Sequence, residues 1–138
     1  MTASIDQLRA VPLFAGLSDR DLRHVLESGK EVRFEAGQAV VEEDRSGVGF
    51  HLIVEGTAAV SAHGTGLTTA GPGQYFGEIS LIDGHPRSAT VTARTDLVTF
   101  SIPGWSFHEL LDKHPSMTKV LLLEMSRRMR ALTDSASN

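Results

Sequence analysis

The chain has 138 residues, of which 41% are hydrophobic and 22% charged. That is long enough to bury a core without disulfides or metal, and ordinary for a globular domain. It has no cysteine and a formal net charge of −4. Disulfides, iron–sulfur clusters and thiolate zinc sites are thereby excluded, and the charge argues against a nucleic-acid module, which normally carries a basic face. Apolar runs such as VLLL at 120–123 are far too short to span a bilayer, and MTASIDQLRAV lacks the basic start and apolar core of a signal peptide. A cytoplasmic location with no membrane contact is expected.

The two ends read as helix. A short helix is expected near Ser4–Ala10, and a second begins at Ser18-Asp19-Arg20-Asp21. There Ser18 is the N-cap, acids fill the first turn, and Leu17 with Leu22 has the spacing of a hydrophobic staple. Leu22, Val25 and Leu26 give that helix one apolar face, with Gly29 as its stop.

From about Lys30 to Ile102 eight short β-rich segments follow: EVRF, AVVEE, FHLIVE, TAAVSA, LTTA, QYF, SATVTA and LVTFSI. Most are separated by glycine, the signature of a small antiparallel barrel or sandwich. Pro103 then opens a helix with Trp105, Phe107, Leu110 and Leu111 on its apolar face, and Pro115 opens a last one reaching about Leu132 before a polar tail, TDSASN. No linker, repeat or low-complexity tract interrupts the chain, so one domain is expected over 1–138. The fold class is mainly β with flanking α-helices.

One segment breaks the strand rhythm: FGEISLIDGHPRSATV at 76–91. GEISLID is too short for a full helix and reads as one helical turn, whose first N–H groups form an anion site. Gly77 lets a ligand approach the backbone, and Arg87 adds a fork of donors suited to phosphate. With Glu78 beside them, the arrangement suits a ligand that carries both a phosphate and a vicinal hydroxyl, such as a ribose phosphate. Taken alone, Glu78 and Arg87 read as a surface ion pair, and the surrounding motif is what favours ligand binding.

F-G-E-I-S-L…P-R-S-A-T-V resembles the phosphate-binding cassette of cyclic nucleotide-binding domains, the family of the catabolite activator protein and of protein kinase A regulatory subunits. VPLFAGLSDRDL, FHLIVEGTAAV and AGPGQYFGE extend the likeness over most of the chain. The resemblance implies an eight-stranded antiparallel, jelly-roll-like β-roll over 30–102, with a helical lead-in over 1–29 and C-terminal helices over 103–133. It implies that Glu78 accepts from the ribose 2′-hydroxyl and that Arg87 and Ser88 hold the cyclic phosphate. Gly77, Ile79, Ser80 and Ala89 would line the site, the Ala89 N–H on a phosphate oxygen.

Serine at 88, where members favouring cyclic GMP often have threonine, tilts the ligand toward cyclic AMP, with cyclic GMP as the other candidate. The base would lie on Val60, Leu67 and Val91, which are also ordinary core positions. MSRRMRALTDS resembles a lid and dimer helix, placing Leu132 and Thr133 near the purine, although Thr133 also reads as a helix end.

Two departures from the family pattern stand out. Glu43-Asp44-Arg45-Ser46 replaces a glycine–aspartate turn, and no helix-turn-helix, kinase or channel segment follows the lid helix. An effector protein acting in trans is therefore a candidate partner, and DNA binding is not expected. Leu122, Met125, Met129 and Leu132 follow a 3-4-3 spacing that suits either a homodimer seam or packing on the chain's own barrel. Arg127, Arg128 and Arg130 read as a solvated face.

Two other functions fit the sequence less well. A cupin-type metalloenzyme needs clustered histidines, but His24, His51, His63, His85, His108 and His114 never fall at i, i+2 or i, i+4, and most read as surface residues. A degenerate fold kept as an interaction or dimerisation module is opposed by the intact Glu78, Arg87 and Ser88. The expectation is a binding module without catalysis, metal or catalytic cofactor.

Overall fold

A computed structural model describes residues 3–41, 49–62, 65–78, 82 and 89–137. Helices α1 (Ile5–Arg9) and α2 (Asp19–Glu27) come first. Ser4 and Gln7 form a reciprocal capping box on α1, and the Ser18 hydroxyl accepts from the Asp21 N–H at 3.2 Å at the head of α2. Such caps satisfy N–H groups that have no partner within the helix.

Eight strands follow: β1 (Lys30–Phe34), β2 (Ala39–Val41), β3 (Gly49–Glu55), β4 (Ala58–Ala62), β5 (Thr65–Ala70), β6 (Tyr75–Phe76), β7 (Thr90–Ala93) and β8 (Leu97–Pro103). Each falls on one of the eight expected segments. They form two four-stranded sheets, ordered β1-β8-β3-β6 and β2-β7-β4-β5, with every pair antiparallel. Apart from the β4–β5 hairpin, consecutive strands thus alternate between sheets, as in a jelly roll. The chain closes with α3 (Gly104–Lys113) and α4 (Pro115–Ser137).

Strand periodicity divides the core in two. On one face of the first sheet, Phe50, Leu52, Phe100 and Ile102 pack under the helices against Leu8, Phe14, Leu22, Phe107, Leu110 and Met117. Phe50 stacks on Phe107 with ring centroids 4.8 Å apart and meets Phe14 edge-on at 6.2 Å. Pairs of this kind add about 0.5–1.5 kcal/mol beyond the area they bury. Between the sheets lies a smaller cluster of Ile53, Ala58, Phe76, Val91, Ala93 and Leu97. At the turn after β3, Gly56 has φ +90°, and a Cβ there would lie 2.2 Å from the Asp96 carbonyl oxygen, so only glycine fits.

Several expectations need correction. Trp105 does not face the core: it is 74% exposed, because Phe107 and Leu110 already fill that side of α3. Pro103 is the N-cap of α3 and not its first residue, and α2 ends at Glu27, capped by Ser28, before Gly29. Helix α4 continues through the supposedly polar tail to Ser137. Of the histidines described, only His108 is exposed; His51 sits between Phe34 and Phe76, and its Nδ1 lies 3.1 Å from the Thr99 hydroxyl. Among the described residues no helix is long and apolar enough to cross a membrane.

Candidate functional site

β6 ends the first sheet's edge, and its two side chains diverge. Phe76 goes into the inter-sheet core, while the Tyr75 ring meets Phe50 at 5.2 Å under the helices. The next residue, Gly77, has φ +97°, a left-handed conformation that side chains resist. That turn delivers Glu78 inward, to 4% exposure. A carboxylate taken so far from water must be paired. Its partner among the described residues comes from α4: Arg128 Nη1 donates to Glu78 Oε1 at 3.0 Å.

Arg128 donates with its other nitrogen, Nη2, to Glu124 Oε1 at 2.9 Å, one helical turn earlier. The Tyr75 hydroxyl donates to Glu124 Oε2. The result is a polar chain, Tyr75–Glu124–Arg128–Glu78, that ties the middle of α4 to the end of β6. Burial, then the bond to Glu124, then the Glu124 and Glu78 charges raise the Tyr75 pKa above its ordinary value, against the opposing Arg128 charge. Burial works to lower the Arg128 pKa, but the Glu78 bond, with the Glu78 and Glu124 charges, outweighs it and the net shift is upward. The guanidinium remains a cation at any physiological pH.

Arg128 therefore does more than occupy the solvated face that its run of arginines implied, although its side chain stays 45% exposed. Sequence reasoning missed Tyr75, Glu124 and Arg128. The available signal was the i, i+4 spacing of Glu124 and Arg128, which places both on one face of a helix.

Across the roll, Ala89 is half-buried at the head of β7. Val60 on β4 stands directly opposite Val91 on β7. Val91 is 3% exposed, and Val60 is partly buried against the same inter-sheet cluster. The β4–β5 register slips after Val60, so Leu67 occupies a bulge between Thr68 and Gly66. Thr133 is exposed on α4, with its hydroxyl 3.1 Å from the Met129 carbonyl oxygen.

Val60 and Val91 thus share the inter-sheet cluster with Phe76, the residue before Gly77 and Glu78 in the chain, while Thr133 stands out on the helix. Ile79, Ser80, Arg87 and Ser88 lie outside the described residues, as does most of the expected helical turn and the Glu43-Asp44-Arg45-Ser46 loop.

Beyond Leu121 the rest of α4 leaves the core. Of the seam residues, Leu122, Met129 and Leu132 are 65%, 69% and 74% exposed, while Met125 is partly buried.

Comparison with known proteins agrees with this architecture. Residues 31–114 match the family model described as cyclic nucleotide-binding domain. A cAMP-dependent protein kinase regulatory subunit from Eremothecium gossypii is 38% identical over 107 residues, 77% of this chain and 23% of that protein. The chain thus spans about a quarter of that curated relative's length. The catabolite activator protein of Thermus thermophilus superimposes with a TM-score of 0.84 at 24% identity, over 91% of this chain and 62% of the other. The regulatory domain of Toxoplasma gondii PKA, in a co-crystal structure with cAMP, gives 0.79 at 25% identity, over 89% and 48%. With its two four-stranded sheets, its flanking helices and a family match over residues 31–114, the chain belongs to the cyclic nucleotide-binding domain family.

Proposed function

We propose that this chain is a sensor domain, residues 1–138, that binds cyclic AMP in preference to cyclic GMP, with α4 as the element that closes over the base. The observation that carries the reading is the Glu78–Arg128 pair: the acid suited to a ribose hydroxyl is joined to the helix suited to be the lid. A carboxylate has about four acceptor positions, so Glu78 can hold Arg128 on one oxygen and accept a ribose hydroxyl on the other. Arg87 and Ser88 take the phosphate, with the Ala89 N–H. Val60, Leu67 and Val91 form the apolar wall against the purine, and Thr133 reaches it from the lid. The cassette over 76–91 binds, and the helices over 103–133 respond.

No step requires catalysis or a metal. A ligand moves such a helix only as far as its affinities for the open and closed states differ. The change passes to an effector protein in trans, and the apolar seam of α4 pairs two copies of the chain. The reading places this work in the cytoplasm.

Calorimetric titration with cyclic AMP and cyclic GMP tests the reading. Arg87→Ala removes a charge-assisted phosphate contact worth about 1.5–3 kcal/mol, so cyclic AMP affinity is expected to fall about tenfold to a hundredfold. Unchanged affinity rejects the Arg87 assignment. If neither nucleotide binds at about 1 mM, roughly −4 kcal/mol, the domain is instead an interaction module built on the same fold.

A further inference from the structure

Away from the β-roll, between α2 and the start of α3, a cavity of about 280 Å³ opens beneath Trp105. We propose that it is a docking site for an arginine side chain of a partner protein, presented beside an acidic residue.

The first observation is Trp105 itself, the one tryptophan in the sequence, left 74% exposed. The core of α3 closes without it, so its burial serves nothing in the isolated chain. Exposed tryptophans bordering a pocket are the residues most often responsible for binding energy at interfaces. The second observation lies at the cavity floor. A polar residue that is only 5% exposed, Ser106, lines this space.

The lining sets the ligand's chemistry. Glu27, at the end of α2, reaches the cavity without an ion pair among the described residues, and Glu109 faces it from α3, with Lys113 on its far side at 2.6 Å. The Ser28 hydroxyl already donates to the Val25 carbonyl at 2.6 Å, so its oxygen is left as an acceptor. Two carboxylates, two hydroxyl oxygens and an indole face ask for a flat cation rich in donors. A guanidinium supplies five N–H groups, no acceptor, and a plane that stacks on tryptophan. The volume lies below the roughly 300–1,000 Å³ of small-molecule sites, which suits a single side chain.

What lies beside the cavity extends the match. His24 and Glu27 are shared with a second hollow of about 510 Å³, where Arg20, Arg23 and Lys113 outnumber Asp21 and Glu27. Arg20 and Arg23 have no ion pair among the described residues. A partner segment with an arginine next to one or two acids therefore meets opposite charge at both positions, which supplies specificity.

Trp105 is also the reporter. The full chain, without nucleotide, would be titrated with a blocked peptide holding one arginine followed by two aspartates, and with the same peptide carrying citrulline, which keeps the shape and loses the charge. Saturable change in tryptophan emission is expected, with about five- to thirtyfold weaker binding of the citrulline peptide. Glu27→Gln and Trp105→Ala, both exposed positions, should each weaken the peptide severalfold by calorimetry while circular dichroism stays unchanged. Equal response to arginine and citrulline, no saturation below about 10 mM, or variants that bind as the parent does would overturn the proposal. Cyclic nucleotide affinity is measured separately, so neither outcome bears on the β-roll site.

Discussion

The two halves of α4 are held by different physics. Its first turns carry Met117 and Leu121, 0% and 4% exposed, into the core beneath Phe107 and Leu110. From Leu122 onward most side chains face water, only Glu124 and Met125 being partly buried up to residue 134, and the polar chain from Tyr75 to Glu78 is the link described between that half and the β-roll. Apolar burial is strong, undirected and nearly indifferent to pH or salt, whereas a small set of charged bonds is weaker, directional and easily redirected. A helix built this way is fixed at one end and adjustable at the other.

The contrast can be broken from either side. Met117→Ala empties a fully buried position and should cost about 2–5 kcal/mol in denaturant unfolding, lowering stability of the whole fold. Arg128→Ala instead leaves Glu78 buried without its α4 partner. The expected loss is about 1–3 kcal/mol, toward the low end because the Arg128 side chain is 45% exposed and screened by solvent. Amide exchange should accelerate over 122–134 and stay slow over 115–121. Uniform acceleration along the helix would show that the two halves form one unit.

Tyr75→Phe sharpens the comparison through pH. The folded state holds the Tyr75 hydroxyl protonated above its ordinary pKa of 10, so unfolded chains lose that proton first as pH rises. The tyrosine's contribution is thus complete below pH 10 and lost as pH climbs toward the raised folded value. Wild-type stability should drop more steeply above about pH 10 than that of Tyr75→Phe, with the variant about 0.5–1.5 kcal/mol weaker at neutral pH. Parallel profiles would remove Tyr75 from the polar chain. The smallest folding effect belongs to Leu132→Ser: within about 0.5 kcal/mol, since the side chain is 74% exposed. Sedimentation should nonetheless detect weaker self-association, and an unchanged association state would discount the seam.

These features were unequally legible in the sequence. Strands were easy, because glycine turns and β-branched runs mark them locally, and Ser18 and Leu17 announced α2 in the same local way. Gly77 and Glu78 stood out for their order within a long motif. Arg128 did not, since its role depends on where α4 passes over the roll 50 residues from Glu78, a distance no local pattern encodes. Trp105 misled for the opposite reason: two residues before Phe107 and five before Leu110, it stands about 140–160° round the helix from both, and only its apolar character suggested the buried face.

The pairing of β1 with β8, from Lys30↔Ser101 to Phe34↔Leu97, joins residues 63 to 71 apart in sequence. β8 is also the strand that couples β1 to β3, so the first sheet has no centre until Pro103 has been synthesised. Early strands emerging from the ribosome must wait with their edges open, and loop-closure entropy makes the late docking slow. Folding in milliseconds to seconds is the expected regime, with aggregation risk concentrated in chains cut short of β8.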